Sequence, residues 1–76
     1  MNLHLPEDDL FQELHGTPVL SEMVQIVEGF FEKFGGLRGR IENLMRSDVN
    51  YQKLVGALET RGVFERQAET AELQLA

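Results

Sequence analysis

The sequence predicts an all-α fold, a small bundle of four to five short helices around a central amphipathic helix at about residues 18–34. Three observations predict it. Apolar residues recur at spacings of three and four along most of the chain. Nowhere do they alternate with the period of two that a half-buried strand requires. Every interruption carries the glycine, proline or small polar residues that stop and start helices. The 76 residues make a single helical domain, 1–76, whose ends at 1–5 and about 70–76 are expected to fray. A domain of this size buries only about 60% of the surface its unfolded chain exposes. Without cysteine it has neither disulfides nor thiolate metal sites to stiffen it, so helix packing or self-association has to suffice.

The first helix is read in PEDDLFQELHG. Pro6 suits a first turn, Glu7, Asp8 and Asp9 sit where the helix dipole favours anions, and His15 with Gly16 marks the end. Its apolar face is Leu10, Phe11 and Leu14. The second helix is the strongest signal, with Thr17 as N-cap, Pro18 at the first helical position and a run to about Phe34. Leu20, Met23, Val24, Val27, Phe31 and Phe34 cover one side, and Val19, Ile26 and Phe30 widen it to an arc of roughly 160°. One neighbouring helix cannot cover such an arc. Leu20, Val24, Val27 and Phe31 are therefore assigned to the core, and Val19, Ile26 and Phe30, with Glu22 beside them, to a partner-facing edge.

Gly35 and Gly36 end that helix, Gly35 in the left-handed conformation that helix ends favour. A third helix at about 37–46 turns Leu37, Ile41, Leu44 and Met45 inward. Ser47 or Asp48 caps a fourth with the face Tyr51, Leu54, Val55 and Leu58. Gly62 stops it, with Leu58 and Val63 placed for the apolar contact of a Schellman cap. The final stretch, VFERQAETAELQLA, spaces Phe64, Ala68, Ala71 and Leu75 helically and reads as a fifth helix, an arm or a frayed tail.

Chemistry is sparse. The glycines of KFGGLRGR fit neither the P-loop nor the dinucleotide-binding spacing, and a helix rather than a strand precedes them. Gly36 and Gly39 have the GxxG spacing of a nucleic-acid clamp, yet no strands flank them and Glu42 stands where an apolar residue is expected. His4 and His15 lack the i, i+4 spacing of a helical zinc site. No serine or threonine forms a local motif with either histidine, so no catalytic, cofactor or metal residue is assigned and the chain is read as a non-enzyme without cofactors.

The net charge of −6 is unevenly distributed. Residues 1–32 carry seven carboxylates and no Lys or Arg, residues 33–61 have a surplus of three cations, and the last fifteen carry −2. Overall acidity disfavours nucleic acid and anionic membranes as partners. The basic patch, Arg38, Arg40, Arg46 and Lys53, is expected to pair with carboxylates of the acidic arm or of a partner. No apolar run reaches a membrane span and no signal peptide opens the chain, which points to the cytoplasm.

The sequence thus suggests a small acidic protein that binds another protein as a regulator, inhibitor or assembly factor. It is read as a homodimer or as the small subunit of a hetero-complex. The alternative is an acidic decoy of nucleic acid, acting through carboxylates 7, 8, 9, 13, 22, 28 and 32. A third reading is a helix-turn-helix DNA binder at 37–61, reading DNA through residues 48–56.

Overall fold

A computed structural model describes residues 4–65 and is helical throughout its ordered elements, with no strand among the described residues. Helix α1 spans Pro6–His15, α2 Leu20–Lys33, α3 Arg38–Arg46 and α4 Gln52–Thr60. Single 3-10 turns, Gly35–Leu37 and Val49–Tyr51, precede α3 and α4. Helix α2 is central: α1 and α4 both pack on it, and α3 packs on α4. The proposed fifth helix falls mostly on residues 66–76, which lie outside the described residues, as do residues 1–3.

Helix α1 begins as its sequence dictates. Pro6 occupies the first turn, the Asp8 amide donates to the Leu5 carbonyl at 3.0 Å, and the Asp8 carboxylate accepts from the Leu5 amide at 3.4 Å. Leu10 and Leu14 are buried and Phe11 half-buried. Glu7 is buried with them, because positions 7, 10 and 14 share the inward stripe of the helix.

The start of α2 differs from the expectation. Thr17 does not cap it: the Thr17 hydroxyl donates to the Glu13 carbonyl at 2.9 Å and so closes α1. Threonine side chains compete in this way for carbonyls four residues back. Val19 takes the cap position with no side-chain acceptor, and the first helical bond runs from the Met23 amide to the Val19 carbonyl. Leu20, assigned to the core, is 41% exposed, since it stands on this uncapped first turn at the rim of the bundle. Phe34 is likewise exposed, because the chain leaves helical geometry there, with φ −129° and ψ 52°.

Gly35 is not left-handed. Gly62, at φ 68°, is the one positive-φ residue among those described. The reversal after α2 uses a 3-10 turn instead, closed by the Leu37 amide on the Phe34 carbonyl at 2.9 Å. The α4 end does use glycine. The Val63 amide reaches the Leu58 carbonyl and the Gly62 amide the Glu59 carbonyl, both at 3.0 Å, and Leu58 and Val63 are buried together as a Schellman cap requires. At the α3–α4 junction Asp48, not Ser47, is the cap: its carboxylate accepts from the Asn50 amide at 2.9 Å. The Ser47 hydroxyl closes α3 on the Leu44 carbonyl. Leu44, expected inside, is exposed at the edge of the α3 stripe.

Every helix contributes to one core. It is built on Leu10 and Leu14, on Val24, Val27 and Phe31, on Ile41 and Met45, and on Leu54, Val55 and Leu58, with Val63 and Phe64 closing it. Gly29, Gly39 and Gly56 are not explained by close approach among the described residues, where a Cβ built at any of them meets nothing within 4 Å.

Candidate functional site

Most of the basic residues are engaged within the fold. Arg40 pairs with the buried Glu7, tying α3 to α1. Arg46 donates to Glu42 at 2.8 Å and to Glu59 at 3.0 Å while its guanidinium lies 5.6 Å from the Phe64 ring centre. These two carboxylates hold Arg46 more firmly protonated than a solvated arginine, Glu59 contributing more than Glu42. Arg38 covers the Phe31 ring at 5.3 Å, and its buried Nε finds no hydrogen-bond partner among the described residues. Arg61 bonds Glu28 at 2.9 Å. Lys53 stands exposed on α4. Of the side chains that a helix-turn-helix would offer to bases, Gln52 instead donates to the carbonyls of Arg46 and Asp48, both at 3.0 Å.

The proposed partner-facing edge divides. Val19 and Glu22 are exposed at the start of α2 and do not line the groove described next. Ile26 and Phe30 are half-buried and enter a groove of about 580 Å³ between α1 and α2. Phe30 and Phe31 meet edge-to-face at 6.0 Å and Phe30 and Phe34 lie tilted at 4.9 Å, so the three phenylalanines run from core to surface. Leu10 and Pro6 supply the α1 wall. Gly29 lies in the α2 wall between Ile26 and Phe30, and its missing side chain deepens the trough.

The rim of this groove is charged. Glu13 stands on the α1 side and Glu32 on the α2 side, with Lys33 near the α2 end and Asp9 bonded to His4 at 2.8 Å. That bond, and then the charge of Asp9, raises the His4 pKa above its ordinary value. Another depression lies where Phe11, Leu44, Val49 and Tyr51 meet. Val49 is 82% exposed there, whereas Tyr51 is half-buried against Phe11, ring centres 5.5 Å apart. Burial raises the Tyr51 pKa, with a smaller contribution from Asp48.

No group of three or more potential metal ligands comes together among the described residues, and no helix there is long and apolar enough to cross a membrane. The chain matches no protein-family model, no curated protein and no solved structure, so its own geometry carries the functional argument.

The sequence reading missed Phe34, Gly29 and Glu13 as parts of the groove. A signal for one of them was present: Ile26, Gly29, Phe30 and Lys33 fall on one helical stripe, and a glycine within an apolar stripe marks a trough. The α1 wall had no such signal, because the pairing of α1 with α2 is a tertiary fact.

Proposed function

We propose that this protein acts by binding another protein through the α1–α2 face, as a regulator, inhibitor or assembly factor. One observation carries the reading. Aromatic and aliphatic side chains that the core leaves partly or wholly uncovered, Ile26, Phe30 and Phe34, line an open groove of helical proportions. Such grooves take an amphipathic helix, with anchors in the centre and charges at the edge. A second copy of the chain is one partner of this kind, and light scattering over a range of concentrations reveals it directly.

The test is capture of host proteins on the immobilised full chain at low salt and at about 0.5 M salt, where charge attraction is screened. A partner held by an apolar groove is retained at high salt and released by Gly29→Leu, which fills the trough. Retention by Gly29→Leu overturns the reading.

The acidic-decoy reading draws support from the exposed carboxylates of Asp8, Asp9, Glu13, Glu22 and Glu32, although Glu7 and Glu28 are engaged by Arg40 and Arg61. It requires that high salt release the partner. Direct DNA binding is the weakest reading, given that Gln52, Arg40 and Arg46 are engaged within the fold. A gel shift at low salt that moves DNA would revive it.

A further inference from the structure

We propose that the α1–α2 groove receives a basic amphipathic helix, a segment of a partner protein with leucine-like anchors on one face and Lys or Arg flanking them. This rests on the reading of the chain as a protein-binding module and names the chemistry of its partner. The first argument is shape. The α1 wall is built from Pro6, Asp9, Leu10 and Glu13 and the α2 wall from Gln25 to Lys33, so each wall extends two helical turns, about 12 Å along the axis. A groove between two walls of that length matches anchors at i, i+4 and i+7 of a third helix. Gly29 adds to this, because a backbone position with nothing within 4 Å of its Cβ direction admits a close-lying helix.

The second argument is charge. The carboxylates of the acidic arm divide by what they face. Glu7 and Glu28 are bonded to Arg40 and Arg61, Asp8 turns back to the Leu5 amide, and Asp9 bonds His4. Glu13, Glu22 and Glu32 accept no side-chain bond among the described residues, and two of the three stand on opposite sides of the groove. Carboxylates therefore stand on both walls, Asp9 and Glu13 on α1 and Glu32 on α2; Lys33, the one Lys or Arg lining the groove, offsets Glu32, and the groove as a whole is negative, most strongly along α1. A helix flanked by cations meets complementary charge there, whereas an acidic helix is repelled, chiefly along the α1 wall.

The experiment titrates the full chain, isotope-labelled, with a synthetic Leu/Lys amphipathic peptide and with its Leu/Glu counterpart of equal length, following backbone amide shifts and fluorescence anisotropy. The Leu/Lys peptide is expected to bind and to shift the amides of Ile26, Gly29 and Phe30, while the Leu/Glu peptide does not. Gly29→Leu should weaken binding by about tenfold or more with the fold intact, as seen by circular dichroism. Reversing Glu13 and Glu32 together to Lys should weaken it by about tenfold, and Glu22→Lys, outside the groove, by less than about twofold. Several results overturn the proposal: no binding, shifts confined to Phe11, Leu44 and Val49, equal effects of all reversals, or a concentration-dependent dimer that occupies the groove. If the chain captures a host protein that Gly29→Leu releases while the Leu/Lys peptide is ignored, the docking function stands and the basic helix is wrong. If neither ligand binds, both readings fail.

Discussion

Helices α3 and α4 and their shared junction are closed by side chains, whereas the start and one flank of α2 are left open. In the C-terminal pair Asp48 caps a turn, Gln52 and Ser47 satisfy carbonyls at the end of α3, Arg46 bridges Glu42 to Glu59, and Gly62 completes a Schellman cap. In the N-terminal pair the first turn of α2 has no side-chain cap. Val19, Leu20 and Phe34 face solvent, and three carboxylates have no side-chain partner among the described residues. A chain that must stabilise a small core uses its polar side chains where the helices are shortest. The longest helix is held by its apolar stripe and can leave its ends and one flank to a partner.

The sharpest way to break that comparison is Phe31 against Phe34, three residues apart on the same helix and its end. Phe31→Ala opens a cavity in the core and should cost about 3–5 kcal/mol, enough to unfold most of a domain this size. Phe34→Ala should cost less than about 1 kcal/mol while reducing partner capture; urea denaturation separates the two. Next in size is Glu7. Arg40→Ala leaves a buried carboxylate without its partner and should cost about 1–3 kcal/mol, a loss that Glu7→Gln recovers in part if the buried charge is the cause. Glycine gives a pair of opposite sign. Gly62→Ala forces a side chain into positive φ and should destabilise by about 1 kcal/mol, while Gly29→Ala should stabilise by about 0.5–1 kcal/mol in thermal unfolding.

The smallest effect concerns His4. Because its folded-state pKa is raised, its contribution to stability is present below the ordinary histidine value and is lost as pH rises through the raised one. An NMR titration should place its midpoint above the ordinary histidine value, and Asp9→Asn should bring it down. Both groups are exposed, so stability itself should change little.

The helices were legible in the sequence because their signals are local. The spacing of Leu54, Val55 and Leu58, the Leu58–Val63 pair around Gly62 and the prolyl start at Pro6 each lie within one turn of the residues they govern. Errors arose where one residue could serve two elements. Thr17 has the chemistry of a cap for α2 and of a carbonyl acceptor's partner for α1, and only the packed structure decides between them. Leu20 shows the same limit, since a correct helical angle does not tell whether a neighbour reaches that turn. The groove was half legible, Ile26 and Phe30 being on the stripe that α1 leaves open. Glu13 and Leu10, its other wall, belong to a helix whose docking site no spacing reveals.

The ion pairs Arg40–Glu7 and Arg61–Glu28 each span 33 residues and each skip one helix, joining α1 to α3 and α2 to the end of α4. Contacts between neighbouring helices close short loops and can form early. These pairs need the chain reversals between them to be in place, so they are expected to close late in folding. The consequence is kinetic: weakening either pair should leave the folding rate nearly unchanged and accelerate unfolding, the signature of a latch. A chevron plot in which Arg40→Ala shifts only the folding arm would place the pair in the nucleus instead.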